Sequence, residues 1–322
     1  MARAHTAQPV PVSHTVGCGA AVMENGPPVP LRGLALLLIS VVFLSSGWPL
    51  TKLAIQHGAA PLWFAEGRAV LSGMVAGVLL GARKRLVMPQ RRDLPSVLMV
   101  GLFQLAAFFA FAHLAVAWVP AGRTSVLANT TTIFVVPLSL VILRERISTR
   151  RWIATAVGLG GIAVLIGPWA VDWRSRHALI GNGFLLCAAL SWALALITVR
   201  LKPPAHTMLE LLPWCFLIGS AALLPLVIFE EPHATLGASA TCWGPLLYIG
   251  LLAGPFGTWG VMEASVLLPA VVSSVGFLAT PAVGILLSAW ILGEPITPDL
   301  VGGTVLILAG VGLAAWPGRV RR

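Results

Sequence analysis

Five ionisable side chains sit inside or at the ends of long apolar runs: Lys52, Glu66, Arg68, His113 and Glu263. A charge in hydrocarbon is costly, so each is a candidate for coupling a proton or for joining a charge pair. Seven further residues lie toward the middle of such runs and could hydrogen-bond or stack on a small solute: Trp48, Gln104, Asn129, Thr131, Trp192, Trp259 and Thr280. Tryptophan ordinarily prefers the membrane interface. Trp48 and Trp192 are instead near mid-run, in corresponding runs of the two halves, whereas Trp259 lies nearer an end and fits an interfacial belt as well as a cavity. Each residue also has a structural alternative. Ser and Thr in helices bond their own i−4 carbonyls, Asn129 could join two helices, and His113 could be a packed neutral ring. Lys52 and Glu66 face each other across a short connection, which predicts an ion pair locking that hairpin, with Arg68 on nearly the opposite face from Glu66 and Glu263 at a solvated helix end.

These residue types do not assemble into a catalytic set. No Ser-His-Asp or metal-ligand array is clustered, and no enzyme activity, metal or cofactor is expected. The four cysteines, Cys18, Cys187, Cys215 and Cys242, have no CxxC or Cys/His spacing and read as buried apolar thiols.

The elements that must position them are membrane-spanning helices. The chain has 322 residues, 57% of them hydrophobic and only 10% charged, against roughly 25% charge in soluble domains. Apolar stretches of the length that crosses a bilayer as helix cover 33–55, 62–81, 95–117, 123–143, 152–170, 179–199, 208–229, 242–263, 270–292 and 299–317. Residues 1–30 are polar and Pro-rich, lack an apolar signal segment, and read as a disordered cytoplasmic tail, with Met23 as an alternative start.

Residues 114–164 and 263–313 align without a gap at an offset of 149, and fifteen of the 51 positions are identical, among them Pro120/Pro269, Ser125/Ser274 and Glu145/Glu294. Identity at that level marks an internal duplication, the signature of transporters. The fold class is therefore an all-α integral membrane protein of ten transmembrane helices, built as two five-helix repeats over 31–176 and 177–318 with a basic tail at 319–322. An odd number of spans per repeat inverts the second copy. With the N-terminus cytoplasmic, sixteen of the 21 Lys and Arg fall in inside segments and two in outside loops, so both termini are expected in the cytoplasm. The net charge of +10 is then a topology signal and not a nucleic-acid surface.

Several segments carry a resemblance: GWPLTK at 47–52, AWVPAGRTSVLANTT at 117–131, LRERIS at 143–148, LSWAL at 190–194, the run from Leu267 to Thr297 ending ILGEPIT, and the Gly-rich closing helices at 158–165 and 301–313. Together they resemble the EamA family of the drug/metabolite transporter superfamily over about residues 33–317. The resemblance implies a ten-helix bacterial inner-membrane carrier moving small organic solutes outward. It differs at Thr132, where the second copy has Pro281, and at Arg144, where the second has Gly293. A cavity of Trp, Ser, Thr and Asn fits neutral or zwitterionic metabolites such as amino acids, exported by alternating access. The partners expected are that solute and the lipid bilayer, with a homodimer compatible; substrate identity, direction and proton coupling stay open. A non-transporting scaffold or sensor, or a membrane-embedded enzyme, is the alternative. Gly73, Gly77 and Gly81, and the Gly-rich fifth and tenth helices, should allow close helix approach. Glu145 and Glu294 are expected to order the turns into the closing helices.

Overall fold

The computed structural model describes residues 31–144, 149–166, 169, 174–268 and 276–315. The described residues form ten helical segments and no strand. They are α1 (Leu31–Gln56), α2 (Pro61–Ala82), α3 (Leu94–Trp118), α4 (Ala121–Ile142), α5 (Thr149–Ile166), α6 (Arg176–Leu201), α7 (Met208–Glu230), α8 (240–267), α9 (Ala279–Leu292) and α10 (Pro298–Ala315). Six of them, α1 to α4, α6 and α7, are long and apolar enough to cross a membrane. The sequence places the ninth span from residue 270; the described helix starts at Ala279, and 269–275 lie outside the described residues.

Local chemistry explains the ends. Pro61 opens α2 after the extended Ala60, a position where its missing N–H is not needed. Ser175 caps α6 by accepting from the Ala178 amide at 3.3 Å. Thr207 and Glu210 exchange side-chain-to-backbone bonds in a capping box at α7. The last turns of α4 and α9 end alike: Arg144 has φ +54° and Gly293 φ +68°. Both repeats thus need a left-handed residue at the same place, and only the second supplies the glycine that adopts it without strain.

Burial is reversed relative to a soluble protein. Leu38, Met74, Leu217, Phe229 and Trp290 are exposed, whereas Ser40, Ser45, Thr51, Ser72, His113 and Ser125 are buried. Apolar exteriors around small and polar interiors suit helices packed in lipid, where close van der Waals contact replaces hydrophobic burial.

Glycines set the tightest contact, between α5 and α10. A Cβ on Gly161 would lie 2.8 Å from the Gly303 carbonyl oxygen, and one on Gly310 would lie 2.7 Å from the Ala154 carbonyl oxygen. Adding 149 to 161 gives 310, and subtracting it from 303 gives 154, so the two contacts are images of each other. Contact positions run upward in α5 as they run downward in α10, so the closing helices are antiparallel. Gly73 repeats the device against Phe216 of α7.

Three helices are irregular at mid-length. α3 is π-helical over Val100–Ala107 and α8 over Tyr248–Ala253, at nearly equivalent places in the two repeats. In α8 the wide turn precedes Pro255 and accommodates the missing N–H there; α3 has no such proline. α4 breaks at Asn129–Thr130 between Ala121–Ala128 and Thr131–Ile142. Its first half packs on α9, α6 and α1, and its second half on α6 and α5.

Candidate functional site

The mid-span tryptophans meet through a residue the sequence did not single out. Phe108 of α3 contacts Trp192 of α6 edge-on at 4.7 Å between ring centroids and Trp48 of α1 at 6.2 Å. Phe109 lies beside Phe108 at 6.2 Å. On the far side of Phe109 are the Arg68 guanidinium, 4.5 Å over the ring, and the His113 ring at 5.7 Å. The three-helix junction is thus an aromatic node with a cation at its α2 edge. Trp48 and Trp192 are only partly buried. Phe108 and Phe109 carry no polar group and lie in an apolar run, so polarity alone could not find them; their mid-run depth was the available signal.

The break in α4 adjoins this node, because Ala128 packs in the same cluster. Asn129 Nδ2 donates to the Ser125 carbonyl at 2.6 Å, Thr130 Oγ1 to that of Leu127 at 2.7 Å, and Thr131 Oγ1 to that of Ala128 at 3.4 Å. The side chains satisfy carbonyls that the interrupted ladder would strand. Across from it, Ser45 Oγ donates to the Thr280 carbonyl at 2.9 Å and ties α1 to the start of α9. Thr131 and Thr280 are equivalent positions of the two repeats. Gln104 lies within the α3 π-helical stretch and is partly buried. Trp259 lies beyond the α8 π-helical stretch and, among the described residues, takes no part in the node's ring contacts.

The Lys52–Glu66 ion pair expected from the short hairpin does not form. Lys52 Nζ instead donates to the carbonyls of Val116 at 2.6 Å, Ala117 at 3.0 Å and Val119 at 3.2 Å, which caps the C-terminus of α3. All three ammonium protons are used, and a cation there suits the helix dipole. Glu66 points to α7, where Ser220 donates to its Oε1, and its Oε2 is buried without a partner. The helical phase of the two residues, which proximity in sequence does not fix, separates them. His113 Nδ1 donates to the Phe109 carbonyl at 2.7 Å, and its Nε2 is buried and unbonded. Glu263 lies 3.9 Å from Arg32, so this helix end is paired with a cation.

Glu294 also differs from expectation. Its two oxygens accept from the amides of Ala121 at 2.7 Å and Gly122 at 2.9 Å. It therefore caps α4 of the other repeat and not the turn into α10. Glu231 does the same at α2, accepting from Leu62 and Trp63 amides at 3.1 Å each. Arg123 and Asp299 pair at 3.0 Å beside the Glu294 cap. Glu145 lies outside the described residues. Cys215 and Cys242 are buried as expected, whereas Cys187 is exposed on α6.

A cavity of about 360 Å³ lies apart from the node, between α2 and α7. Gly73, Met74, Gly77, Trp214 and Ser220 line it. It is apolar except near Ser220 and flanked by lipid-facing residues, so it is a lateral groove.

The profile of the EamA-like transporter family matches residues 31–167 and again 179–316. A probable amino-acid metabolite efflux pump of Salmonella typhimurium is 27% identical over 311 residues, covering 89% of this chain and 96% of the relative. A probable terminal-alkyne amino-acid exporter of Streptantibioticus cattleyicolor is 27% identical over 280 residues, covering 85% and 90%. An uncharacterized transporter of Archaeoglobus fulgidus is 25% identical, covering 86% and 96%. A solved crystal structure superposes with a TM-score of 0.56 at 20% identity, over 88% of this chain and 96% of that one. With two matched copies spanning nearly all of the described helices, the chain belongs to the EamA-like transporter family.

Proposed function

We propose that the protein is a secondary carrier that exports small neutral or zwitterionic metabolites, such as amino acids, across the bacterial cytoplasmic membrane by alternating access. The observation that carries the reading is the aromatic node of Trp48, Phe108 and Trp192 beside the broken α4. Transporters place solute at mid-depth, where interrupted helices offer backbone groups and can flex. Trp48 and Trp192 then form the aromatic walls, Asn129, Thr131 and Thr280 the polar edge at the break, and Gln104 and Trp259 further lining from the irregular α3 and α8. The names of two relatives, an amino-acid metabolite efflux pump and an amino-acid exporter, favour this solute class.

The antiparallel α5–α10 seam favours ten spans arranged as inverted repeats. The basic asymmetry of the loops favours both termini inside. Reporter fusions after Arg322 and after Gly237 are expected to read cytoplasmic and periplasmic respectively, and a periplasmic C-terminus would overturn the topology. Transport is proposed to run without an obligatory proton: of the three candidates from the sequence, Glu263 pairs with Arg32, Glu66 accepts from Ser220 on α7, and His113 donates to its own helix at the Phe109 carbonyl.

An export screen tests the function. Cells overproducing the protein are expected to resist toxic amino-acid analogues, and Trp48→Ala or Trp192→Ala should remove the resistance at normal membrane abundance. Unchanged resistance in both variants, or no exported amino acid or analogue, would refute it.

A further inference from the structure

Among the described residues, Arg68 has no counter-ion. Its Nε is buried and has no hydrogen-bond partner, and its guanidinium lies over the face of Phe109. The carboxylates of the described residues are directed elsewhere. Asp93 bonds His206, Glu210 bonds Arg85, Glu263 pairs with Arg32, and Asp299 pairs with Arg123. Glu231 and Glu294 hold helix N-termini. Glu66 faces α7 and Glu230 is exposed at the end of that helix. Glu24, Glu145 and Asp172 lie outside the described residues. An arginine in a membrane-embedded core needs an anion or several carbonyls to offset its desolvation. At the same end of the bundle Lys52 has three carbonyls and Arg123 has Asp299; Arg68 has an aromatic face and nothing else among the described residues.

We propose that Arg68 is the receptor for a carboxylate on the transported solute, and that the node behind Phe109 takes the solute's apolar side chain. The proposal rests on the export reading above and narrows it to carboxylate-bearing solutes. A guanidinium presents a planar edge of paired donors that fits a carboxylate with two parallel bonds. Its stacking on Phe109 fixes that plane and leaves the N–H edge free. Phe109 adjoins Phe108, which contacts both tryptophans, so a row of rings leads from the guanidinium to Trp48 and Trp192; Phe108 and Phe109 are themselves buried, so the solute's apolar body lies against the partly buried tryptophans. Arg68 is only partly buried although its Nε is buried, so the edge a solute reaches is that of the two Nη groups. A neutral solute would gain nothing from this cation, and a bare cation would be repelled.

The test compares L-phenylalanine, 3-phenylpropionate and L-phenylalaninamide, which share the ring and differ in the carboxylate. Binding is read by tryptophan fluorescence of the purified protein and export by vesicle flux. Wild type is expected to bind both acids at least tenfold more tightly than the amide. Arg68→Gln should bring the ratio to within twofold by weakening the acids alone. Arg68→Lys keeps the charge but loses the paired edge, and its ratio should fall at least threefold. A merely structural arginine would instead lower affinity for all three probes together and leave the ratio unchanged. An unchanged ratio in Arg68→Gln, or a wild-type ratio near one, overturns the assignment. If Arg68→Gln does not fold, the wild-type ratio and Arg68→Lys decide it. Failure to bind any probe, alongside export of other solutes in the wider screen, sinks the carboxylate assignment alone; no binding and no export of any solute sinks the transport reading with it.

Discussion

Glu294 and Ala121 are 173 residues apart, yet the Glu294 carboxylate holds the first amide of the helix that begins at Ala121, at 2.7 Å. The acid of the second repeat's LGE turn thus fixes a helix of the first. Two charge-assisted bonds at a helix N-terminus stabilise it by about 2 kcal/mol. Glu294→Ala should lower the denaturation midpoint in detergent accordingly, and Glu294→Gln, with one acceptor oxygen, should fall between it and wild type. Equal stability of all three would show that the cap contributes nothing.

Lys52 and Glu66 have separate partners, so they should behave independently. Lys52→Met strands three carbonyls at the end of α3, and Glu66→Gln disturbs only the α7 contact. In a double-mutant cycle the two losses should add within about 0.5 kcal/mol, and the charge swap Lys52→Glu with Glu66→Lys should be worse than either single variant. Rescue by the swap would restore the ion pair as the correct description.

Arg144 has φ +54° where the second repeat has glycine. A left-handed residue with a Cβ costs roughly 1–2 kcal/mol, and glycine removes most of it while adding chain entropy to the unfolded state. Arg144→Gly is expected to stabilise the protein by somewhat under 1 kcal/mol. The same change to alanine should not, and a gain with both would point to charge as the cause.

Asp93, just ahead of α3, ties it to the α7 entry. Burial alone would raise its pKa; hydrogen bonds from the His206 side chain and from the Gln90, His206 and Ala205 amides outweigh that and hold it well below the usual carboxylate range. A depressed acid stabilises the fold above its ordinary pKa of about 4 and loses that contribution as pH falls below it. Wild type should therefore lose stability on acidification through that window, and Asp93→Asn should start lower and change less. Parallel pH profiles for the two proteins would exclude Asp93 as the sensitive group.

What the sequence made legible was what hydropathy and repetition encode. The helical segments, the two copies and the glycine seam all follow from apolar length, an offset of 149 and small-residue spacing. Trp48 and Trp192 stood out because tryptophan is unusual at mid-depth. Phe108, the ring that joins them, did not, because phenylalanine is unremarkable in an apolar helix. The Lys52–Glu66 pairing failed for a different reason: fourteen residues of helix, loop and helix fix how near two side chains are in the chain but not which way each faces. Glu294 was recognised as part of a motif, and only tertiary packing reveals the amides it holds.

The π-helical stretches of α3 and α8 bear on the protein's history. A π turn is what remains when one residue is inserted into an α-helix without disturbing its ends. Both copies carry theirs shortly before the segments that align, 114–164 and 263–313. A single insertion before the gene duplicated accounts for both, whereas later events would require the same accident twice. On that account the local unwinding of the third helix in each repeat would predate the two-repeat protein.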